Sequence, residues 1–131
     1  MRPKVLVVDD EPDVVELICF NLRTRGYDTI SASNGLEALL KARQQRPDLV
    51  VLDVMMDGMD GLSVCEILHN QASTRTLPVI IVTAAAGEMA RLNSLAAGAA
   101  DFLTKPFSPQ ELVRRIGLIL QPRRSESPGV N

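Results

Sequence analysis

Three carboxylates stand directly after short apolar runs: Asp9 and Asp10 follow Val5-Leu6-Val7-Val8, and Asp53 follows Leu49-Val50-Val51-Leu52. One acid in such a place is ordinarily a turn former or a helix cap. Several acids converging on one crevice repel each other, and a fold keeps them only with a bound cation or a shared proton. A hard divalent ion answers that need. Mg²⁺, or Mn²⁺ in its place, prefers carboxylate, carbonyl and water oxygens, so one or two carboxylates and a phosphate would complete its shell. With such an ion screening the charge, an aspartate can attack phosphorus and form an aspartyl phosphate. The transferring group must then be held from other sides as well. Thr83, after the run Val79-Ile80-Ile81-Val82, offers a hydroxyl, and Lys105, after a weaker run from Ala99 to Leu103, offers an ammonium. Alone, Thr83 is an ordinary strand residue and Lys105 a solvated loop charge. Together with the acids they outline a phosphoryl site in which Asp53 reacts.

The elements that must position these residues are legible. The three strong runs, rich in β-branched residues, read as strands buried on both faces, and Asp28 to Ala32 and Ala99 to Leu103 read as weaker strands nearer the sheet edges. Helical patterns separate them. Pro12 suits a first turn ahead of Val14, Val15, Ile18 and Leu22, with Gly26 as the stop. Leu36, Leu39 and Leu40 mark a second helix; Asp60-Gly61 opens a third that carries Leu62, Val64, Cys65 and Leu68. Met89, Leu92 and Leu95 mark a fourth, ended by Gly98. In the fifth, Ser108-Pro109-Gln110-Glu111 combines a serine cap, a first-turn proline and a capping-box glutamate ahead of Leu112, Val113, Ile116 and Leu120. Five alternations of strand and helix call for a doubly wound α/β fold, a five-stranded parallel sheet with right-handed crossovers. The order 2-1-3-4-5 puts the most apolar strands in the middle and places ligand chemistry at the carboxyl ends of strands one and three. Asp9, Asp10 and Asp53 all fall there.

Bulk properties narrow the function classes. A chain of 131 residues with 46% hydrophobic and 23% charged residues suits one ordinary globular domain. The domain is expected over residues 1–121, with 122–131 a disordered tail or the start of a linker. A net charge of −2 with scattered basic residues argues against direct nucleic-acid binding. No apolar run suits a membrane span and the N-terminus does not read as a signal peptide, so a cytoplasmic location is expected. Cys19 and Cys65 read as buried free thiols, and His69 as a surface residue near a helix end.

VLVVDDE at 5–11, VLDVMM at 51–56, VTA at 82–84 and DFLTKPF at 101–107 resemble bacterial two-component response-regulator receiver domains, over Lys4 to Leu120. The resemblance implies a flavodoxin-like receiver fold and a signalling switch rather than an enzyme acting on other substrates. It implies that Asp53 accepts phosphate from a phosphohistidine on a sensor histidine kinase. Asp10, Asp53 and the Met55 backbone carbonyl would contact Mg²⁺ directly, and Asp9 through water. Thr83 and Lys105 would hold phosphoryl oxygens, Phe102 would turn inward on activation, and Lys105-Pro106 resembles the family's cis peptide. The departure is Asp57, where family members commonly carry proline; it reads as a solvated turn residue or an added acid near the metal.

Two other classes compete. A phosphohydrolase with an Asp nucleophile usually has a second acid two residues on, where this chain has Met55. A flavin or nucleotide carrier would need a Gly-rich or hydroxyl-rich first loop instead of Asp9-Asp10-Glu11-Pro12. Within the receivers, Arg91, Asp101, Glu111 and Arg115 resemble charges by which winged-helix transcription regulators dimerise through helix four, strand five and helix five. Arg91 would meet Glu111 of the second copy, and Asp101 would meet Arg115. A third pair is missing, since Ala100 and Pro122 stand at its places. Output is expected through an effector domain or a separate output protein.

Overall fold

The computed structural model describes residues 2–56, 58–85 and 87–120. Asp57 and the tail 122–131 lie outside the described residues. In chain order the elements are β1 (Lys4–Val8), α1 (Pro12–Arg23), β2 (Asp28–Ala32), α2 (Gly35–Gln45), β3 (Leu49–Leu52), α3 (Gly61–His69), β4 (Val79–Thr83), α4 (Glu88–Ala96), β5 (Asp101–Thr104) and α5 (Pro109–Leu120). All strand pairs are parallel, in the order β2-β1-β3-β4-β5. That is the doubly wound sheet the alternation predicts.

Successive side chains of a strand point to opposite faces, and the core divides accordingly. Leu6, Val8, Val50, Leu52, Val79 and Ile81 pack with Ala38 and Ala42 of α2 and Val64, Cys65 and Leu68 of α3. Val5, Val7, Leu49, Val51, Ile80 and Val82 pack on the other face with Ile18, Cys19 and Leu22 of α1 and Leu112, Val113 and Ile116 of α5. Each fully buried aliphatic side chain stabilises the fold by about 2 kcal/mol, so the sheet can carry unfavourable polar groups at its rim. Both cysteines are free and buried, as expected, and burial pushes the Cys65 thiol up to about 11.

The helix limits match the punctuation of the sequence. Pro12 begins α1, and Gly26 has φ +93° where the chain turns toward β2. Asp60 Oδ1 accepts from Ser63 N at 2.9 Å and caps α3. The helices marked by Leu36, Leu39 and Leu40 and by Met89, Leu92 and Leu95 are present as α2 and α4, but of these six side chains only Leu39 packs against the core. Leu36 and Leu40 of α2 are 63% and 42% exposed, while Gly35, Ala38 and Ala42 are buried. In α4, Met89, Leu92 and Leu95 are all exposed and only Ser94 is buried. Small side chains let these two helices lie close to their neighbours, and the larger apolar residues are displaced outward. The capping box of α5 is half formed. Ser108 Oγ accepts from Glu111 N at 3.3 Å, but the Glu111 carboxylate accepts from Arg114 and Arg115.

Candidate functional site

Strand register brings the reactive groups together. Val8 aligns with Leu52, so the residues that follow, Asp9 and Asp53, emerge side by side. Their backbones are tied to neighbouring strands, Asp53 N donating to Val8 O at 3.0 Å and Asp9 N to Ala32 O at 3.2 Å. Thr83 aligns with Thr104, which places Lys105 beyond the end of β4, its N–H donating to Thr83 O at 2.8 Å. The Lys105-Pro106 bond is cis.

Each buried acid divides its oxygens between two tasks. Asp9 Oδ1 accepts from Glu11 N at 2.9 Å and Asp53 Oδ1 from Met55 N at 3.0 Å, local bonds that fix both side chains. The remaining oxygens face Lys105, whose Nζ lies 2.9 Å from Asp9 Oδ2 and 3.3 Å from Asp53 Oδ2. Glu11 Oε1, at 3.4 Å, completes the ring around the ammonium. Oxygens of Asp9, Asp10 and Asp53 all lie within 4.8 Å of one another; Asp10 is exposed and forms the mouth.

The electrostatics follow from burial and neighbours. Burial pushes the Asp53 carboxyl above its ordinary value, and Asp9 adds to this; the Met55 amide and Lys105 oppose it. Burial disfavours a charged Lys105, but the hydrogen bond to Asp9 and the charges of Asp53 and Asp9 outweigh it and hold the lysine above its ordinary value. Three converging carboxylates against one ammonium leave excess negative charge and an all-oxygen donor set. That is the chemistry a hard divalent cation fits.

The other expected residues are placed as follows. Thr83 is fully buried at the end of β4, its Oγ1 accepting from Ala85 N at 3.2 Å, which keeps the hydroxyl proton for donation. Phe102, on β5, is half-buried against the cluster of α2 and α3. Arg115 Nη1 donates to Asp101 Oδ1 at 2.8 Å and Arg115 Nε to Glu111 Oε2 at 2.7 Å, so these three form one cluster within the chain. Hydrogen bonds from Arg114 and Arg115 push the Glu111 carboxyl down to about 2. Arg91 is apart from them and pairs with Glu88. A cavity of about 530 Å³ lined by Arg2, Asp48, Pro78 and Ile119 lies at the opposite end of the sheet, so cavity size does not point to the acids.

Sequence reasoning missed two contributors to the site and misplaced one residue remote from it. Glu11 joins the lysine ring, although it belongs to the same acidic run. Gly61 meets the backbone of Asp53. His69, expected at the surface, is half-buried: Nε2 lies 3.0 Å from Leu77 O and Nδ1 3.5 Å from Ala97 O, and Gly98 packs directly against the ring. Only the absent side chain of Gly98 leaves room for it. No sequence signal marks that contact.

Residues 5–117 match the family model described as the response regulator receiver domain. The chain is 48% identical over 126 residues to the alkaline phosphatase synthesis transcriptional regulatory protein PhoP of Bacillus subtilis (strain 168), covering 96% of this chain and 51% of that protein. It is 40% identical over 126 residues to the DNA-binding response regulator MtrA of Mycolicibacterium smegmatis, covering 96% and 53%. It thus spans about half the length of the curated relatives it matches. Among solved structures, a putative response regulator from Chloroflexus aurantiacus J-10-fl superposes with a TM-score of 0.87 at 38% identity, covering 91% of this chain and 98% of that one. The chemotaxis response regulator CheY4 of Vibrio cholerae gives 0.86 at 30% identity, covering 92% and 100%.

Proposed function

The chain belongs to the receiver domains of two-component response regulators, and on that premise we propose that it is a switch set by phosphorylation of Asp53. The donor is a phosphohistidine on a sensor histidine kinase. An Asp53 carboxylate oxygen forms the new bond to phosphorus while the phosphorus–nitrogen bond breaks and its electron pair returns to the imidazole. The convergence of Asp9, Asp10 and Asp53 with Lys105 at their centre is the observation that carries this reading. Asp9, Asp10, Asp53 and the Met55 carbonyl would hold Mg²⁺ or Mn²⁺, which when bound supplies positive charge to the phosphoryl oxygens. Thr83 donates its hydroxyl to one phosphoryl oxygen and Lys105 its ammonium to another, and Phe102 turns inward as the β4 end adjusts.

The test is incubation with acetyl phosphate. Mass spectrometry should show one added phosphoryl group with Mg²⁺ present and none after chelation with EDTA; labelling that ignores the metal refutes the site. A chase in the same experiment reads the lifetime. Hydrolysis needs a water held in line, and the side chains best placed to orient it follow Asp53 and Thr83 by two residues. These are Met55, which is 59% exposed, and Ala85, and neither side chain can orient water. The modification is therefore expected to persist for minutes, and loss within seconds would contradict this.

We further propose that phosphorylation favours a symmetric dimer through α4, β5 and α5. Arg91 meets Glu111 of the second copy and Asp101 meets Arg115, each pair occurring twice. Because Arg115 already has Asp101 and Glu111 within its own chain, the dimer exchanges ion pairs and gains little affinity from them. They set register, while the exposed Met89, Leu92 and Leu95 supply apolar area. Light scattering should show dimers with a phosphate mimic for the wild type and monomers for Arg115→Glu. A wild type that stays monomeric, or a variant that still dimerises, sinks the interface.

The relatives' extra length suggests that an effector domain belongs to the complete protein and that any DNA contact is made there and not by this acidic domain. No helix among the described residues is long and apolar enough to cross a membrane, and a cytoplasmic location suits a partner kinase that donates phosphate from its own cytoplasmic histidine.

A further inference from the structure

The first residue of α3 touches the backbone that carries Asp53. Gly61 is buried, and its N–H donates to Val54 O at 3.1 Å. A Cβ at Gly61 would lie 2.5 Å from Asp53 O, 2.5 Å from Val54 Cα and 3.0 Å from Asp53 C. All three are backbone atoms, so no side-chain rotation relieves the overlap: either α3 backs away or the Asp53-Val54 peptide turns. Gly61 is not among the glycines with positive φ. What it supplies is space for close approach of two backbones. Turning the peptide would carry the site with it, because Asp53 Oδ1 is bound to Met55 N, one residue beyond Val54.

We propose that Gly61 is a positioning residue of the phosphoacceptor: its missing side chain seats α3 against the Asp53-Val54 peptide and so aims the carboxylate between Met55 N and Lys105. This rests on the reading of Asp53 as the acceptor. The test compares wild type, Gly61→Ala and Asp60→Ala. The last variant loosens the start of the same helix by removing its cap and inserts no wedge. Labelling by acetyl phosphate is measured over a range of donor concentrations at saturating Mg²⁺, alongside urea unfolding.

Displacing a reacting group by about 1 Å can cost up to about 100-fold in rate. Gly61→Ala is therefore expected to lower the rate constant at saturating donor by about 10- to 100-fold, with the half-saturating concentration changed less than about twofold. Asp60→Ala should lose stability and keep its rate. If the wild type does not label at all, the acceptor reading fails. If it labels and Gly61→Ala labels equally fast, or if Asp60→Ala slows as much, the role of Gly61 is refuted. Should Gly61→Ala not fold, amide exchange of the wild type decides. Coupling between two sites is reciprocal, so trifluoroberyllate with Mg²⁺ must slow exchange of the Gly61 amide more than that of Ser63, and an unchanged Gly61 amide overturns the proposal.

Discussion

Asp53→Asn is expected to take up no phosphoryl group from acetyl phosphate or from a cognate kinase while keeping its fold. An amide oxygen is too weak a nucleophile for phosphorus, and the isosteric side chain leaves the shape of the site intact. The energetic balance supports a folded variant. Asparagine has one carbonyl oxygen where the carboxylate uses two, one for Met55 N and one for Lys105 Nζ. One of those bonds is therefore lost, at about 1 kcal/mol. Against this, a buried charge beside Asp9 disappears, and that charge is disfavoured by burial. Lys105 keeps its 2.9 Å pair with Asp9. The two contributions nearly cancel, so the unfolding midpoint should stay close to that of the wild type. Mass spectrometry with a parallel melt checks both halves. Undiminished labelling of a folded variant would place the acceptor elsewhere.

The second large effect is expected from Lys105→Met, measured without divalent metal. The stem is replaced by an apolar chain of similar length, while Asp9 and Asp53, both almost fully buried, lose their shared cation. Removing one partner from a buried charge cluster costs on the order of 3 kcal/mol, a large fraction of the stability of a domain this size. Because no other cation among the described residues pairs with Asp9 or Asp53, millimolar Mg²⁺ should raise the melting temperature more in the variant than in the wild type, by preferential binding to the folded state. Equal metal responses in the two proteins would show that Lys105 is not the countercharge of these acids. Labelling should also slow, because the ammonium is one of the proposed holders of the phosphoryl oxygens.

The sequence was most readable where one physical rule dominates. Runs such as Leu49-Val50-Val51-Leu52, short and rich in β-branched residues, read as strands buried on both faces, and an acid placed after such a strand emerges at the sheet's carboxyl rim. Strand order then makes Asp9 and Asp53 neighbours. Asp60, Pro12 and Gly26 are similarly local signals, and the structure uses them as the sequence implies. The sequence located elements but not their packing where two rules compete. Periodicity alone points Leu36, Leu40, Met89, Leu92 and Leu95 inward, yet close packing favours the small residues Ala38, Ala42 and Ser94 at those contacts. Glu111 is spaced for a capping box, but two nearby guanidinium groups are stronger partners for a carboxylate than a backbone amide. The contacts of Gly61 with the Asp53 peptide and of His69 with Gly98 depend on tertiary approach, which no local pattern encodes.

The inward face of α4 has a thermodynamic consequence. With Ser94 its only buried residue and its leucines and methionine outside, little apolar surface is gained or lost when this helix slides. Alternative positions of α4 would then differ by only a few kcal/mol, a gap at which a minor conformer is populated before any signal arrives. In the proposed switch, a phosphoryl group at the rim would not have to force a rearrangement. It would only have to prefer one member of such an ensemble, and weak packing would make a modest preference sufficient.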